Sequence, residues 1–248
     1  MTGVPLPQDV TTLTAFMSKV RKAIEIELDA SIPDVAITIP RMPFYLQEEF
    51  QEPLKLAELE SARAKLELID TAVYEESNAA YAGYGYGHCR AKFEDCSSEL
   101  NWQEYEHVLY LNFDNSSFST GMMALQNAYQ TQRMFTYAAD TKLGWWNLPV
   151  FEVPRTEFWA RIHEMITTVL EAFPEPIHKV VLLGDHGAEE EFKEVVKAAV
   201  WEVHEFDVET LLSVGKKEDV TYLAARGAAE LEWHMGELSR KREADRPQ

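Results

Sequence analysis

The strongest constraint on this 248-residue chain is the order of its apolar segments after residue 106. Three β-like runs, His107 to Phe113, Ser117 to Gln126 and Gln132 to Ala138, are separated by turn residues and predict an antiparallel meander. Glu157 to Phe173 then predicts an amphipathic helix with Phe158, Ile162, Met165, Ile166 and Val169 on one side. Lys179 to Leu183 reads as a buried strand and Ala188 to Val200 as a further helix. Strands mixed with helices in this order require an α/β architecture.

The first half repeats the alternation more weakly. Thr12 to Leu28 carries a helical stripe of Leu13, Phe16, Met17, Val20, Ile24 and Leu28. Val35 to Ile39 predicts a short strand closed by Pro40 and Pro43, and Pro53 opens a helix reaching Leu66. Leu66 to Val73 predicts a strand, and Glu76 to Tyr84 a helix of small residues suited to close packing. The polar stretch from Gly85 to Glu106 marks a boundary or crossover. Val220 to Met235 predicts a closing helix, with a loose charged tail from Ser239. The expected organisation is a first-lobe remnant over 1–87, a crossover over 88–106 and a second lobe over 107–218. Residues 219–248 then form a closing helix that returns to the first lobe, plus the tail.

A net charge of −19 disfavours nucleic acid and anionic membranes as partners, and 46% hydrophobic residues supply a core. The start, MTGVPLPQDV, has no apolar signal region and no run reaches membrane-span length, so a cytoplasmic protein with reduced Cys89 and Cys96 is expected. Cys89 and Cys96 with the adjacent His88 match no zinc spacing, and no metal is expected. No nucleophile elbow or zinc-protease motif is present in the sequence.

Several segments, in order, resemble motifs of the 70-kDa heat-shock ATPases, a branch of the actin/sugar-kinase superfamily. They are VAITIP (Val35 to Pro40), YEESNAAYAGYG (Tyr74 to Gly85), LNFDNSSFSTG (Leu111 to Gly121), ADTKLG (Ala139 to Gly144), VVLLGDHG (Val180 to Gly187) and DVTYLAARGAAEL (Asp219 to Leu231). The resemblance spans roughly residues 12 to 235 and implies a two-lobed actin-like fold with Glu75 at the hinge glutamate. It also implies an abbreviated fold: the first phosphate loop and the adenine-covering subdomain have no counterpart. In the second phosphate loop, three family glycines are Asp114, Asn115 and Ser116, and the magnesium-side aspartates are Asn112 and Ser119. A glycine of the next motif is Trp145. A phosphate cradle needs unobstructed backbone N–H groups, so neither ATP hydrolysis nor any other cofactor is expected.

A cleft between two lobes, freed of nucleotide, can take another ligand, and an interlobe pocket for an apolar small molecule is expected. Trp145, Trp146, Phe113, Asp114, Tyr81, Tyr86, Glu75 and Asp185 are the candidate substrate-binding residues, and His186, Tyr84 and Asn112 the candidate catalytic hydrogen-bonding groups. The aromatics either line such a pocket or fill the space of the missing subdomain. Asp185 and His186 invite an acid/base reading, although neighbours on a strand-to-turn segment point apart; Glu75 can act as a base or cap the following helix. The AARGAA ending resembles truncated fungal heat-shock-like sequences, some from secondary metabolism. Their kinship permits a cofactor-independent cyclase of Diels–Alder type acting on an apolar small molecule. The alternative is a non-catalytic scaffold that binds another protein.

Overall fold

The computed structural model describes residues 8–40, 50–62, 73–88, 104–129, 134–212 and 217–244. The fold is mixed α/β, and its contacts divide the chain into two units. One comprises Met1–Glu76 with Ala228–Gln248, and the other Ser77–Gly227. Cys89, Cys96 and the predicted strand before Val73 lie outside the described residues.

The larger unit is built on one four-stranded sheet. Its strands are β5 (Glu106–Phe113), β6 (Phe118–Leu125), β7 (Met134–Asp140) and β8 (Lys179–Leu183), in the order β7-β6-β5-β8. The first three form the expected meander, while β8 runs parallel to β5, with Val108 opposite Lys179 and Asn112 opposite Leu183. A parallel return needs a crossover, supplied by helix α4 (Glu152–Glu171). Helices α5 (Glu190–His204) and α6 (Glu209–Leu212) follow β8.

Leu109, Leu111 and Phe113 lie on one face of β5 because strand side chains alternate. They join Phe158, Ile162 and Ile166 of α4 and Phe192, Val196 and Val200 of α5 in the main core. Central strand β6 is buried along its whole length, whereas edge strand β7 alternates between half-buried and exposed positions. Helix α4 begins before the predicted Glu157. Pro154 falls in its first turn, where the missing N–H has no helical partner to lose.

In the smaller unit, α1 (Gln8–Leu28) precedes the two-residue strands β1 (Asp34–Val35) and β2 (Thr38–Ile39). These pair in parallel with β3 (Glu60–Ser61) and β4 (Tyr74–Glu75), so the predicted single strand is divided in two. Helix α2 (Gln51–Leu56) stops well short of Leu66. Glu58 takes a left-handed conformation (φ 54°), and Leu59 N–H closes back on Leu54 C=O, ending the helix. The α1 stripe is also less buried than its spacing predicts: Phe16, Val20, Ile24 and Leu28 are exposed. Arg21 ties α1 down instead, donating to the carbonyls of Ala57 (3.0 Å) and Glu58 (2.9 Å).

Helix α3 (Glu76–Gly83) and helix α7 (Lys217–Ala244) cross the boundary between the units. The charged tail continues α7 to Ala244 rather than fraying at Ser239, consistent with the good helix propensity of Arg, Lys, Glu and Ala. Within the larger unit the two helices touch backbone to backbone. A Cβ on Gly83 would sit 2.3 Å from Leu223 O, and one on Gly227 only 1.7 Å from Ala79 O. Arg226 adds a hydrogen bond to the Gly83 carbonyl.

Candidate functional site

The β5–β6 turn is the segment that resembles a phosphate loop. Asp114 N–H donates to Ser117 C=O (3.0 Å), closing the turn. Asn115 N–H donates to the Asp114 carboxylate (2.7 Å). Both amides are therefore spent within the chain, one on a carboxylate where an anion cradle would offer a free donor. The turn's carbonyls are engaged as well: Asp114 C=O accepts from Trp145 N–H and Asn115 C=O from Trp146 N–H, each at 3.0 Å. Gly144 lies so close that a Cβ there would meet Ser117 N at 2.4 Å.

Side chains complete this closed end of the sheet. Asn115 Nδ2 donates to Asp185 Oδ2 (2.7 Å), and its oxygen lies 3.1 Å from His186 Nε2. With the Asn115 amide oriented this way, His186 carries a hydrogen on Nε2. The Trp145 ring stacks on His186 at 4.1 Å and 6°, and both pack edge-on to Phe113. Asn112 is buried in β5 between Ser119 and Leu183, and Gly184 approaches its side chain closely.

The candidate residues thus separate into groups. Phe113, Asn112, Asp114, Trp145, Asp185 and His186 come together, but as packed and mutually bonded groups. Phe113 is 0% exposed and belongs to the core. Trp146 points outward, 76% exposed. Glu75 belongs to the smaller unit, in β4 opposite Ile39. Tyr81, Tyr84 and Tyr86 cluster elsewhere, with Tyr86 centred 5.4 Å from Tyr81 and 5.9 Å from Tyr84.

That tyrosine cluster adjoins a cavity of about 800 Å³ within the larger unit. It lies where β5 and β8 begin and β6 ends, at the opposite end of the sheet from the closed turn. The eight residues of β5 put the two ends about 25 Å apart. Tyr81, Tyr86, Tyr105 and Phe206 supply aromatic surface, and Glu106, His178 and Lys179 supply polar groups. Tyr81 donates its hydroxyl to Glu106 Oε2, while the other Glu106 oxygen lies 3.6 Å from Lys179 Nζ. The same ammonium sits 4.7 Å over the Tyr86 ring. His178 Nδ1 accepts from the His107 backbone N–H (3.0 Å), and the two imidazoles stack at 5.0 Å.

Only Tyr81 and Tyr86 among the candidates line this cavity. Glu106, His178 and Lys179 carry no motif. The single trace they leave in the sequence is a polar residue at or just before the start of β5 and β8.

Burial pushes the Tyr81 phenol well above its ordinary range, and the Glu106 carboxylate adds to the shift. Burial alone pushes Tyr129 up to about 12. A phenol whose folded value exceeds its unfolded value of about 10 contributes stability in full below that pH and loses it as pH rises through the folded value. We therefore expect thermal stability to fall between about pH 10 and 12, and Tyr129→Phe to reduce that fall. Melting temperature against pH, read beside phenolate absorbance, checks this. An unchanged alkaline limb in the variant would mean that Tyr129 is already ionised or hydrated when folded.

Among the described residues, no group of three or more His, Cys, Asp or Glu is placed to hold a metal ion, and no helix is long and apolar enough to cross a membrane. No family model matches the chain, and no curated protein matches it significantly.

Proposed function

We propose that the chain is a heat-shock-ATPase-like scaffold that has given up nucleotide and binds a small molecule instead, most concretely as a stand-alone cyclase of pericyclic type. Two features of the larger unit support the kinship. A three-strand meander followed by a strand and helix, the arrangement the resemblance implies for the second lobe, is present, with the fourth strand running parallel to β5. The backbone-close crossing of α3 and α7 fits the hinge-helix and last-helix motifs.

The observation that carries the loss of nucleotide is the β5–β6 turn, whose Asp114 and Asn115 amides are already bonded to Ser117 and to the Asp114 carboxylate. The ligand site is assigned to the cavity beside Tyr81 and Tyr86. Its volume of about 800 Å³ falls within the range of pockets for small organic ligands. Holding a reactive chain in a near-attack shape can by itself supply several kcal/mol, and needs neither nucleophile nor metal.

Calorimetric and thermal-shift titration with ATP and magnesium tests the first part. A ligand at one hundred times its dissociation constant would stabilise the fold by about 2.7 kcal/mol; no shift is expected at millimolar ATP. Replacing Asp114, Asn115 and Ser116 together by Gly is expected to leave ATP binding undetected, because Trp145 and Gly144 still cover the turn. Micromolar ATP binding by the natural chain would overturn the proposal. For the cyclase step, conjugated polyene substrates are expected to lose their long-wavelength absorbance faster with the chain than without it. Equal rates across a structurally varied polyene set would remove the catalytic reading.

A second reading, the protein-binding scaffold, is favoured by one observation. Trp146, Val150, Phe151 and Val153 are 76%, 91%, 79% and 70% exposed along one short segment. Its backbone is held by hydrogen bonds to Asn115 C=O and from Arg155 to Pro149 C=O (3.1 Å).

A further inference from the structure

The walls of the cavity define the kind of ligand it can take, and this step rests on the small-molecule reading above. We infer that the site binds a neutral, flat, conjugated carbonyl compound, with the carbonyl oxygen held by the Lys179 ammonium and the flat body laid against the tyrosines.

Charge decides against the alternatives. Glu104 and Glu106 both line the cavity, against Lys179 as the one lysine or arginine among the described lining residues. A carboxylate or phosphate ligand would enter beside two carboxylates, Glu106 half-buried and Glu104 exposed, and would be repelled chiefly by Glu106. A cationic ligand meets the opposite obstacle. At the half-buried end of the cavity, the Glu106 carboxylate and the Tyr86 face already hold the Lys179 ammonium at 3.6 and 4.7 Å, which leaves a cation the solvent-exposed Glu104, where screening by water makes a charge pair weak. A neutral ligand leaves that arrangement intact.

Hydrogen-bond polarity sets the functional group. Lysine presents three N–H donors and no acceptor. Glu106 Oε1 and the Tyr86 face occupy part of that capacity, and the second Glu106 oxygen is taken by Tyr81. A further acceptor can therefore be added at Lys179 without breaking the pair. His178 contributes in the same sense: with Nδ1 accepting from His107 N–H, its neutral ring carries hydrogen on Nε2 and offers a donor. The site thus presents donors to a ligand that brings an acceptor. Tyr86, Tyr105 and Phe206 add broad ring surface, favouring a flat partner over a bulky saturated one. An ammonium on a conjugated carbonyl also withdraws electron density, which is the polarisation a cyclisation of such a compound would use.

The experiment uses the full chain and three naphthalene probes of similar shape: Prodan, which is a neutral aryl ketone, a naphthyl carboxylate and a naphthyl trimethylammonium. Prodan is expected to bind saturably and at least about tenfold tighter than either charged probe, the scale of one hydrogen bond or one unfavourable charge contact. Lys179→Met is expected to weaken Prodan about tenfold and to shift its bound emission to the blue, since a ketone that loses its donor emits as in a less polar medium. Lys179→Arg, which keeps charge and donors, is expected to retain the emission wavelength.

Tighter binding of the carboxylate or the ammonium would overturn the inferred ligand class while leaving the cavity as a small-molecule site. Prodan binding whose strength and emission ignore Lys179→Met would overturn the carbonyl anchor. Failure of all three probes to bind would overturn the cavity reading itself. The comparison among probes needs only the natural chain, so it stands even if a variant does not fold.

Discussion

Gly227→Ala is expected to destabilise the larger unit by more than about 3 kcal/mol, a large share of the about 5–15 kcal/mol that keeps a domain folded. Helix propensity alone gives the opposite sign, since Ala in a helix interior is better than Gly by about 1 kcal/mol. The contact overrides it. The added methyl would lie 1.7 Å from Ala79 O and 2.5 Å from Gly83 N, and both are backbone atoms of α3 that no rotamer change can move. Relief requires the two helices to separate, uncovering the buried Ala79, Ala80 and Leu223. Gly236 provides an internal control on the same helix, with nothing within 4 Å of a Cβ; Gly236→Ala should stabilise by about 0.5–1 kcal/mol. Denaturant titration followed by circular dichroism reads both. Equal effects of the two substitutions would mean that α3 and α7 do not cross this closely.

Phe113→Ala is expected to cost about 3–5 kcal/mol, the usual range for emptying a large aromatic site in a core. The ring packs at 4.9 Å from Phe192, 5.6 Å from Trp159 and 6.3 Å from Phe118, so its removal leaves a cavity walled by rigid rings. Trp146→Ala, three-quarters exposed, should change stability by less than about 0.5 kcal/mol. The contrast separates two roles that the sequence could not tell apart. A Phe113 serving as the wall of an open pocket would tolerate truncation with little loss of stability, and that result would reopen the closed end of the sheet as a ligand site.

The sheet was legible because its strands are apolar runs bounded by turn residues, and β8 matches its predicted span residue for residue. Helix α4 was legible from its stripe. The short strands of the smaller unit were less so, since two-residue pairings such as Asp34–Val35 with Glu60–Ser61 are set by tertiary packing rather than by local pattern. In α1, the spacing of Phe16, Val20 and Ile24 identified a helix but not what would cover it.

The candidate site shows the same division. The closed β5–β6 turn was legible in Asp114 and Asn115, because such short polar side chains bond to nearby backbone. The cavity was not. Tyr81, Glu106 and Lys179 meet only through the parallel offset that sets Val108 against Lys179 and through the return of α3 to the sheet end, neither of which has a sequence signature.

The Asp114 carboxylate on Asn115 N–H amounts to a ligand that the protein carries with it. A competitor tethered one residue away acts at an effective concentration that a diffusing anion must match before it can displace it. The turn thus fills its own donor, and added phosphate is not expected to displace the Asp114 carboxylate from the Asn115 amide.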